Sequence, residues 1–254
     1  MHIPLALAAG MLGGFIWGGI PGFLKARFGA HEVIVTIMLN YTAFKLSDYL
    51  INGGPMRDTH ATAPKTPFIA ASAQLPVIPD TRLHIGLLIA LAAVPAVWFL
   101  IQRTTLGFQI RAVGFNQTAA RANGMSVGLT LLLTMGISGA LAGLAGADEV
   151  LGVSHFMPPT FSVGYGFDSI AVALLARSNP WAILPSAFLF GAMRSGAGFM
   201  QLQTQVSADL ISIVQATVIM FVAAPVMIRW IFRLKEPIAT VRVSGQADVT
   251  RGSA

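Results

Sequence analysis

Long stretches of apolar residues without an intervening charge recur along the chain. Each predicts a membrane-crossing helix, because about 20 consecutive apolar residues span the hydrocarbon core of a bilayer. The four clearest stretches cover residues 3–24, 83–102, 122–147 and 210–228.

Three further apolar stretches are weaker. The stretches 31–51 and 180–200 contain charged side chains, and the stretch 166–176 is too short to cross a bilayer. The pattern predicts an all-α, polytopic membrane protein with about six transmembrane helices plus one short re-entrant or broken helix. We expect a single transmembrane domain over residues 1–235 and a flexible cytoplasmic tail over residues 236–254.

The composition excludes several soluble classes of protein. Of the 254 residues, 55% are hydrophobic and 10% are charged, whereas an ordinary soluble domain carries about 25% charged residues. This scarcity of charge excludes a soluble enzyme and a nucleic-acid-binding domain, despite the net charge of +6. The chain has no cysteine, which excludes disulfides and thiolate metal sites.

The distribution of basic residues predicts the orientation. Lys and Arg accumulate in cytoplasmic loops, and alternating the spans collects most of them on the side of the segment 102–126. That segment is therefore predicted to be cytoplasmic. The stretch 3–24 then runs from outside to inside, which leaves two interpretations open. Either an odd number of earlier spans is missing from the chain, or the chain has a true outward start.

The outer loop 52–82 is the longest polar stretch between spans. It contains five prolines, which argue against regular secondary structure. The loop is either a docking surface for an extracytoplasmic partner or a stiff connector, and the sequence favours neither.

The cytoplasmic segment contains the signals of a short helix. Gly107 and Gly114 are predicted to break helical structure, Asn116 to cap a helix over residues 117–123, and Gly124 to follow it as a C′ glycine. The residues alone leave two interpretations, a docking site for a partner or a connector on the membrane surface, and they favour the connector. The helix would present Ala119, Ala120, Arg121 and Ala122.

Glycines recur at every fourth position in two predicted spans. Small residues at this spacing let helix backbones approach closely in lipid. We expect them to serve internal packing rather than dimerisation. They are Gly10, Gly14, Gly18 and Gly22 in the first span, and Gly139 and Gly143 in the stretch 122–147.

Polar side chains at membrane depth are the candidates for a substrate pathway. Lys45 and Asp48 lie three residues apart on one helix face, which favours a mutual ion pair. Asp168 is alternatively a boundary residue, and Arg194 alternatively extends to the membrane surface. No GxxxxGK or HExxH sequence is present, so we predict no catalytic residue, metal or cofactor. The pathway candidates are Asn40, Lys45, Asp168 and Arg194.

Several strings along the chain resemble the membrane subunits of one transporter family. LGFQIRAVGFNQTAARANGMSV (106–127), followed by SGALAGLAG (138–146), resembles the permease subunit of bacterial ABC importers of the branched-chain amino acid, ribose and simple-sugar permease family. GGIPGFLKARFGAHEVIVTIMLNY (18–41) and GYGFDSIAVALLARSNPWAIL (164–184) are similar to the nucleoside subgroup, which uses a lipoprotein binding protein. The resemblance covers nearly the whole chain.

This resemblance implies a multi-pass permease of the bacterial plasma (inner) membrane that works by alternating access. Its partners would be ATP-binding ABC subunits, a second permease subunit and an extracytoplasmic substrate-binding lipoprotein, with no nucleic acid. Its substrate would be a nucleoside or a simple sugar. Family members usually have further spans before the segment similar to 18–41, which favours the interpretation that spans are missing.

The resemblance also implies that the cytoplasmic segment is the coupling helix that enters a cleft in the ATPase. This reverses the preference for a connector. The alternative function is a self-contained secondary transporter or channel, which would need its own coupling-ion site. The implied coupling residues are Arg111, Gly114, Asn116, Ala119, Ala120, Arg121 and Gly124.

Overall fold

The structure is a computed structural model that describes residues 2–77, 83–159, 161, 164–204, 213, 214, 216, 217 and 220. Within this part the regular elements are helices, which confirms the all-α prediction. They are α1 (His2–Phe28), α2 (Glu32–Asn52), α3 (Gly86–Arg103), α4 (Thr105–Phe115), α5 (Gln117–Ala122), α6 (Val127–Glu149), α7 (Tyr165–Leu175) and α8 (Pro180–Thr204). A short 3-10 turn covers Ala71–Ala73, and a π turn, Val150–Ser154, continues α6.

The chain divides into two units, Met1–Phe190 and Gly191–Ala254. All packing described below lies within the first unit. Apart from a few residues, the predicted span 210–228 lies outside the described part of the chain, and the predicted tail 236–254 lies wholly outside it.

Three of the described helices are long and apolar enough to cross a membrane: α1, α3, and α6 together with its π turn. They correspond to three of the four clearest apolar stretches, which confirms those predictions. The third helix begins at Val127, five residues later than predicted, because Gly124 ends the preceding helix in a left-handed conformation with φ +77°.

The other long helices are more polar. α2 has 21 residues and α8 has 25, enough length to span, but both contain charged side chains. α7 has 11 residues, which is about 16 Å of helix against a hydrocarbon core of about 30 Å. The predicted short apolar element is therefore a helix that cannot cross the membrane alone.

α1 and α6 pack antiparallel along their glycine rows. A Cβ atom on Gly14 or on Gly139 would overlap the carbonyl oxygen of the other glycine. A Cβ atom on Gly10 would lie 2.8 Å from the Cβ of Ala147, and one on Gly18 would lie 2.8 Å from the Cα of Gly139. The predicted internal packing is confirmed, and the backbones touch because no side chain separates them.

The outer loop is attached to the end of α6. The backbone N–H of Thr66 donates to the carbonyl of Met157 at 3.1 Å, and that of Leu75 donates to the carbonyl of Leu151 at 2.9 Å. The ammonium of Lys65 lies 4.2 Å from the centre of the Phe68 ring. Apart from the 3-10 turn, residues 53–77 form no helix or strand, as their prolines predict.

The start of α3 also meets the end of α6. His84 Nδ1 lies 4.0 Å from Asp148 Oδ1, and glycines lie against both side chains. A Cβ atom on Gly86 would overlap the carboxylate of Asp148, and one on Gly152 would lie 2.5 Å from His84 Nδ1. The two helix ends are therefore packed too closely for any larger residue at either glycine.

Candidate functional site

The connection between α3 and α4 is a tight, capped turn. The hydroxyl of Thr104 accepts a hydrogen bond from the backbone N–H of Gly107 at 3.0 Å, which caps α4. Gly107 lies so close beneath α3 that a Cβ atom would overlap the carbonyl oxygens of Leu100 and Ile101. Glycine is required at this position because only glycine lacks a Cβ atom.

The prediction that Gly107 and Gly114 break helical structure is wrong. Both residues lie within α4. An isolated glycine costs a helix only about 1 kcal/mol relative to alanine, and the Thr104 cap together with the close packing of Gly107 offsets that cost. No atom lies within 4 Å of a Cβ placed on Gly114, so Gly114 has no steric role within the described part of the chain.

The short helix α5 is capped at both ends as its sequence predicts. Asn116 Oδ1 accepts hydrogen bonds from the backbone N–H groups of Thr118 at 2.9 Å and Ala119 at 3.0 Å. Gly124 follows the helix with a positive φ, and its N–H donates to the carbonyl of Arg121 at 3.0 Å. A six-residue helix is too short to be stable alone, so these caps define it.

The predicted coupling residues differ in what they can contact. Ala120 is buried in a cluster with Val113 and Val127, so it anchors α5 to the protein. Arg121 and Arg111 are exposed, and Arg111 donates a hydrogen bond to Gln102 Oε1 at 3.0 Å. The remaining predicted residues, also exposed, are Gly114, Asn116, Ala119 and Gly124.

A groove of about 510 Å³ lies between α4 and α5. Phe108, Ala112 and Phe115 line one wall, and Phe115 is 89% exposed. These aromatic residues are not among the predicted site residues, because Gly107 and Gly114 predict breaks in the helix that carries them. Phe108 and Phe115 are seven residues apart, which places both rings on one face of a helix. The spacing therefore indicates this shared face only if residues 105–115 are taken to be helical.

The predicted pathway residues are not gathered in one place. Lys45 does not pair with Asp48, so that prediction is wrong: its ammonium lies 5.6 Å from the centre of the Tyr41 ring, one turn back. Asp48 instead accepts a hydrogen bond from the amide of Asn52. Helical side chains lean toward the N-terminus of their helix, which takes the long Lys45 side chain away from Asp48.

The other pathway candidates lie on separate helices. Asp168 is half-buried in the first turn of α7, and Arg194 is exposed on the part of α8 that belongs to the second unit. Asn40 lines a cleft between α1, α2 and the start of α7. Gly166 and Phe167, which immediately precede Asp168, line the same cleft.

This opening, the α1–α2 cleft, has a volume of about 550 Å³. A second cavity of about 240 Å³ lies between α1, α2 and the outer loop, and it is called the outer cavity below. Trp17 of α1 lines both of them. Within the described residues, no group of three His, Asp or Glu side chains is placed to hold a metal ion.

Comparisons with known proteins agree on a single class. The family described as "Branched-chain amino acid transport system / permease component" matches residues 1–223. The guanosine ABC transporter permease protein NupP of Bacillus subtilis is 42% identical over 91% of this chain and 67% of its own length. The nucleoside ABC transporter permease protein NupB of Lactococcus lactis is 34% identical over 99% of this chain and 70% of its own.

A third relative is named as a permease for a sugar. The glucose ABC transporter permease protein of Haloferax volcanii is 33% identical over 86% of this chain. The chain spans 60% of the length of that relative. No solved structure matches the chain.

Proposed function

Because this chain belongs to the permease-component family of branched-chain amino acid transport systems, we propose that it is the membrane-spanning subunit of an ATP-driven importer of nucleosides. Simple sugars are the second candidate substrate. The two relatives at 42% and 34% identity support nucleosides, since they are named for guanosine and for nucleosides. The glucose permease at 33% identity keeps sugars open.

The family assignment confirms the resemblance found in the sequence. It also confirms the expectation that the chain is not an enzyme, because the relatives are permease subunits of transporters. The family implies an ATPase and a substrate-binding protein as partners. We propose, more specifically, a pair of ATP-binding ABC subunits, a second permease subunit and an extracytoplasmic lipoprotein, in a bacterial plasma membrane that the chain crosses several times.

The single observation that carries the coupling role is the construction of α5. This helix is capped by Asn116 and Gly124, is anchored through the buried Ala120, and is bordered by a groove with exposed aromatic side chains. A short helix that is fixed from within and open outside suits insertion into a cleft of a partner. We propose that the cytoplasmic ATPase contacts Arg111, Gly114, Ala119 and Arg121, while Asn116, Ala120 and Gly124 hold the helix in shape.

The coupling role is tested by co-purification with the ATPase. We expect Arg121→Glu and Gly114→Arg to weaken ATPase binding about tenfold, which is about 1.4 kcal/mol. The matched controls are Arg27→Glu, a charge reversal at the end of α1, and Gly114→Ala, which adds a single methyl group. If all four variants retain the ATPase equally, the surface formed by α4 and α5 is not the docking element.

The alternative of a self-contained secondary transporter is tested by the energy source. Proteoliposomes that contain the complete proposed transporter (the chain, the second permease subunit, the ATPase subunits and the binding lipoprotein) are given ATP. Proteoliposomes that contain the chain alone are given an ion gradient, and uptake of labelled guanosine and D-ribose is measured in both. We expect uptake only when ATP is supplied on the side of the membrane where the ATPase subunits lie. Uptake driven by an ion gradient in the absence of any ATPase would contradict the proposed function.

A further inference from the structure

The walls of the α1–α2 cleft carry three aromatic side chains. Its volume of about 550 Å³ falls within the range of about 300–1,000 Å³ found for small-molecule sites. Trp17, Phe44 and Phe167 line it from three different helices. Phe167 is 71% exposed, so the face of its ring is accessible to a ligand.

Few polar groups line the cleft, and those present are available for a ligand. The amide of Asn40 and the indole N–H of Trp17 make no hydrogen bond with any described residue. Thr36 donates its hydroxyl hydrogen to backbone carbonyls of its own helix, at 2.9 Å to Glu32 and 3.0 Å to Val33. Its oxygen can therefore still accept. An amide that offers both a donor and an acceptor complements the edge of a heterocyclic base.

This chemistry distinguishes between the two candidate substrate classes. A sugar presents several hydroxyl groups, and each one buried without a partner costs free energy. The cleft, with its few polar side chains, leaves most of them unpaired. A nucleobase presents flat aromatic faces and a short polar edge, and stacking between a base and an aromatic side chain is favourable for every base.

We propose that the α1–α2 cleft is a binding site for the base of a nucleoside, with Trp17, Phe44 and Phe167 contacting its faces and Asn40 its polar edge. The inference rests on the proposed function and adds the location of the site. Trp17 is the main stacking residue, because it has the largest ring of the three and also lines the outer cavity.

Trp17 also lines the outer cavity, which connects its position to the outer loop. This cavity also contacts Met56 and Thr66 of the outer loop, so it lies between the middle of α1, the C-terminal half of α2 and that loop. The hydroxyl of Ser47 lies there, buried and without a hydrogen-bond partner. A nucleoside arriving through the outer cavity would meet Trp17 before it reached Asn40.

The position of Trp17 is fixed by the helix packing behind it. The next residue, Gly18, also lines the cleft, and its backbone lies directly against α6. α1 therefore presents a backbone-packed face to α6 and Trp17 to the cleft. A base that stacks on this ring meets a surface that is already ordered, which lowers the entropic cost of binding.

The first test measures uptake by the complete transporter in proteoliposomes, with [³H]guanosine and [³H]ribose as probes. We expect Trp17→Ala and Asn40→Leu to raise the KM for guanosine about tenfold. Trp17→Phe, which keeps a flat aromatic face, should restore most of the loss. The controls are Phe99→Ala, an exposed aromatic residue of α3, and Met38→Leu, an exposed residue of α2 outside the cleft.

The second test identifies the contact directly. The purified chain in nanodiscs is irradiated with 8-azidoguanosine, and the labelled peptides are identified by mass spectrometry. We expect labels on α1, α2 or the start of α7, with competition by guanosine and less by D-ribose. Labels confined to other segments, or no competed label, would overturn the proposal.

The outcomes separate the two levels of inference. If the parent transporter takes up neither guanosine nor ribose, the proposed substrates are wrong, and the photolabelling still decides the cleft. If guanosine uptake is normal and its KM is unchanged in both Trp17→Ala and Asn40→Leu, the cleft proposal is wrong while the proposed function stands. Equal KM shifts for guanosine and ribose would overturn the assignment of the cleft to the base.

Discussion

Glycine is frequent in both the α1–α6 interface and the α4–α5 element, yet it does different work in the two regions. In the interface, Gly14 and Gly139 bring two helix backbones into direct contact. In the α4–α5 element, Gly107 clears a tight turn, Gly124 adopts a left-handed conformation, and Gly114 touches nothing within 4 Å. Glycine thus allows close helix packing at Gly14 and Gly139, avoids a steric clash at Gly107 and ends a helix at Gly124. Gly114 has no structural role that its surroundings show.

The difference shows how each region is stabilised. Lipid does not drive apolar helices together as water does, so the α1–α6 pair depends on close backbone contact. The α4–α5 element depends on local hydrogen bonds at Thr104 and Asn116 and on the small cluster around Ala120. Substitutions should therefore be severe in the first region and graded in the second.

The largest effect is expected in the α1–α6 interface. Gly14→Ile places a branched side chain where backbone atoms of α6 lie, and it should destabilise the fold by about 3 kcal/mol. Gly13→Ile is the matched control, because a Cβ there has no atom within 4 Å. Thermal unfolding in detergent, followed by tryptophan fluorescence, measures both variants. Equal melting temperatures would show that the interface does not need glycine.

A smaller loss is expected at the α3–α4 turn. Gly107→Ala introduces a methyl group against the carbonyls of Leu100 and Ile101 and should cost about 2 kcal/mol. Gly114→Ala, in the same helix but in open space, should instead stabilise α4 by about 0.5 kcal/mol. The same unfolding assay compares the two variants. If both substitutions lower the melting temperature, or both raise it, the distinction between Gly107 and Gly114 is wrong.

The caps of α5 should contribute less again. Asn116→Ala removes the acceptor of two backbone N–H groups and should cost about 1 kcal/mol. Asn116→Ser keeps a capping oxygen and should recover most of that loss. Hydrogen exchange at Thr118 and Ala119 reports the cap directly, and unchanged exchange rates in the alanine variant would argue against it.

The smallest effect is expected at the turn between α1 and α2. Lys25 and Glu32 form an ion pair of 2.6 Å there, with both side chains partly exposed to solvent. Exposed pairs contribute little because solvent screens them, so Lys25→Gln should lower the melting temperature less than any of the changes above. A shift in melting temperature as large as that of Gly107→Ala would show that this ion pair matters more than its exposure suggests.

Much of the fold could be predicted from the sequence because its strongest signals are local or periodic. Apolar length located α1, α3 and α6, the glycine rows of α1 and α6 indicated close packing, and Asn116 with Gly124 bounded α5. The helix α4 was missed because a glycine that clears a turn and a glycine that breaks a helix look alike in sequence. Only the position of the Leu100 carbonyl distinguishes them.

The candidate site was predicted less completely. Polarity at depth identified Asn40, which lines the α1–α2 cleft, but it also selected Lys45, which contacts Tyr41 instead. The aromatic wall was missed because Trp17 in an apolar stretch is indistinguishable from an aromatic residue that faces lipid. The glycine row indicates which face of α1 packs against another helix, but which part of its remaining surface borders the cleft depends on where α2 and α7 lie.

The helix Val127–Ser154 has a mechanical consequence for transport. It runs for 28 residues, roughly 42 Å at 1.5 Å per residue, with α5 joined to its first turn and the outer loop tied to its last. It is long and apolar enough to connect the two faces of a membrane, and α1 packs along it by backbone contact. If the ATPase acts on α5 as proposed above, we expect α6, α1 and the outer loop to move together, so that labels on α1 and α6 keep a constant separation throughout the transport cycle.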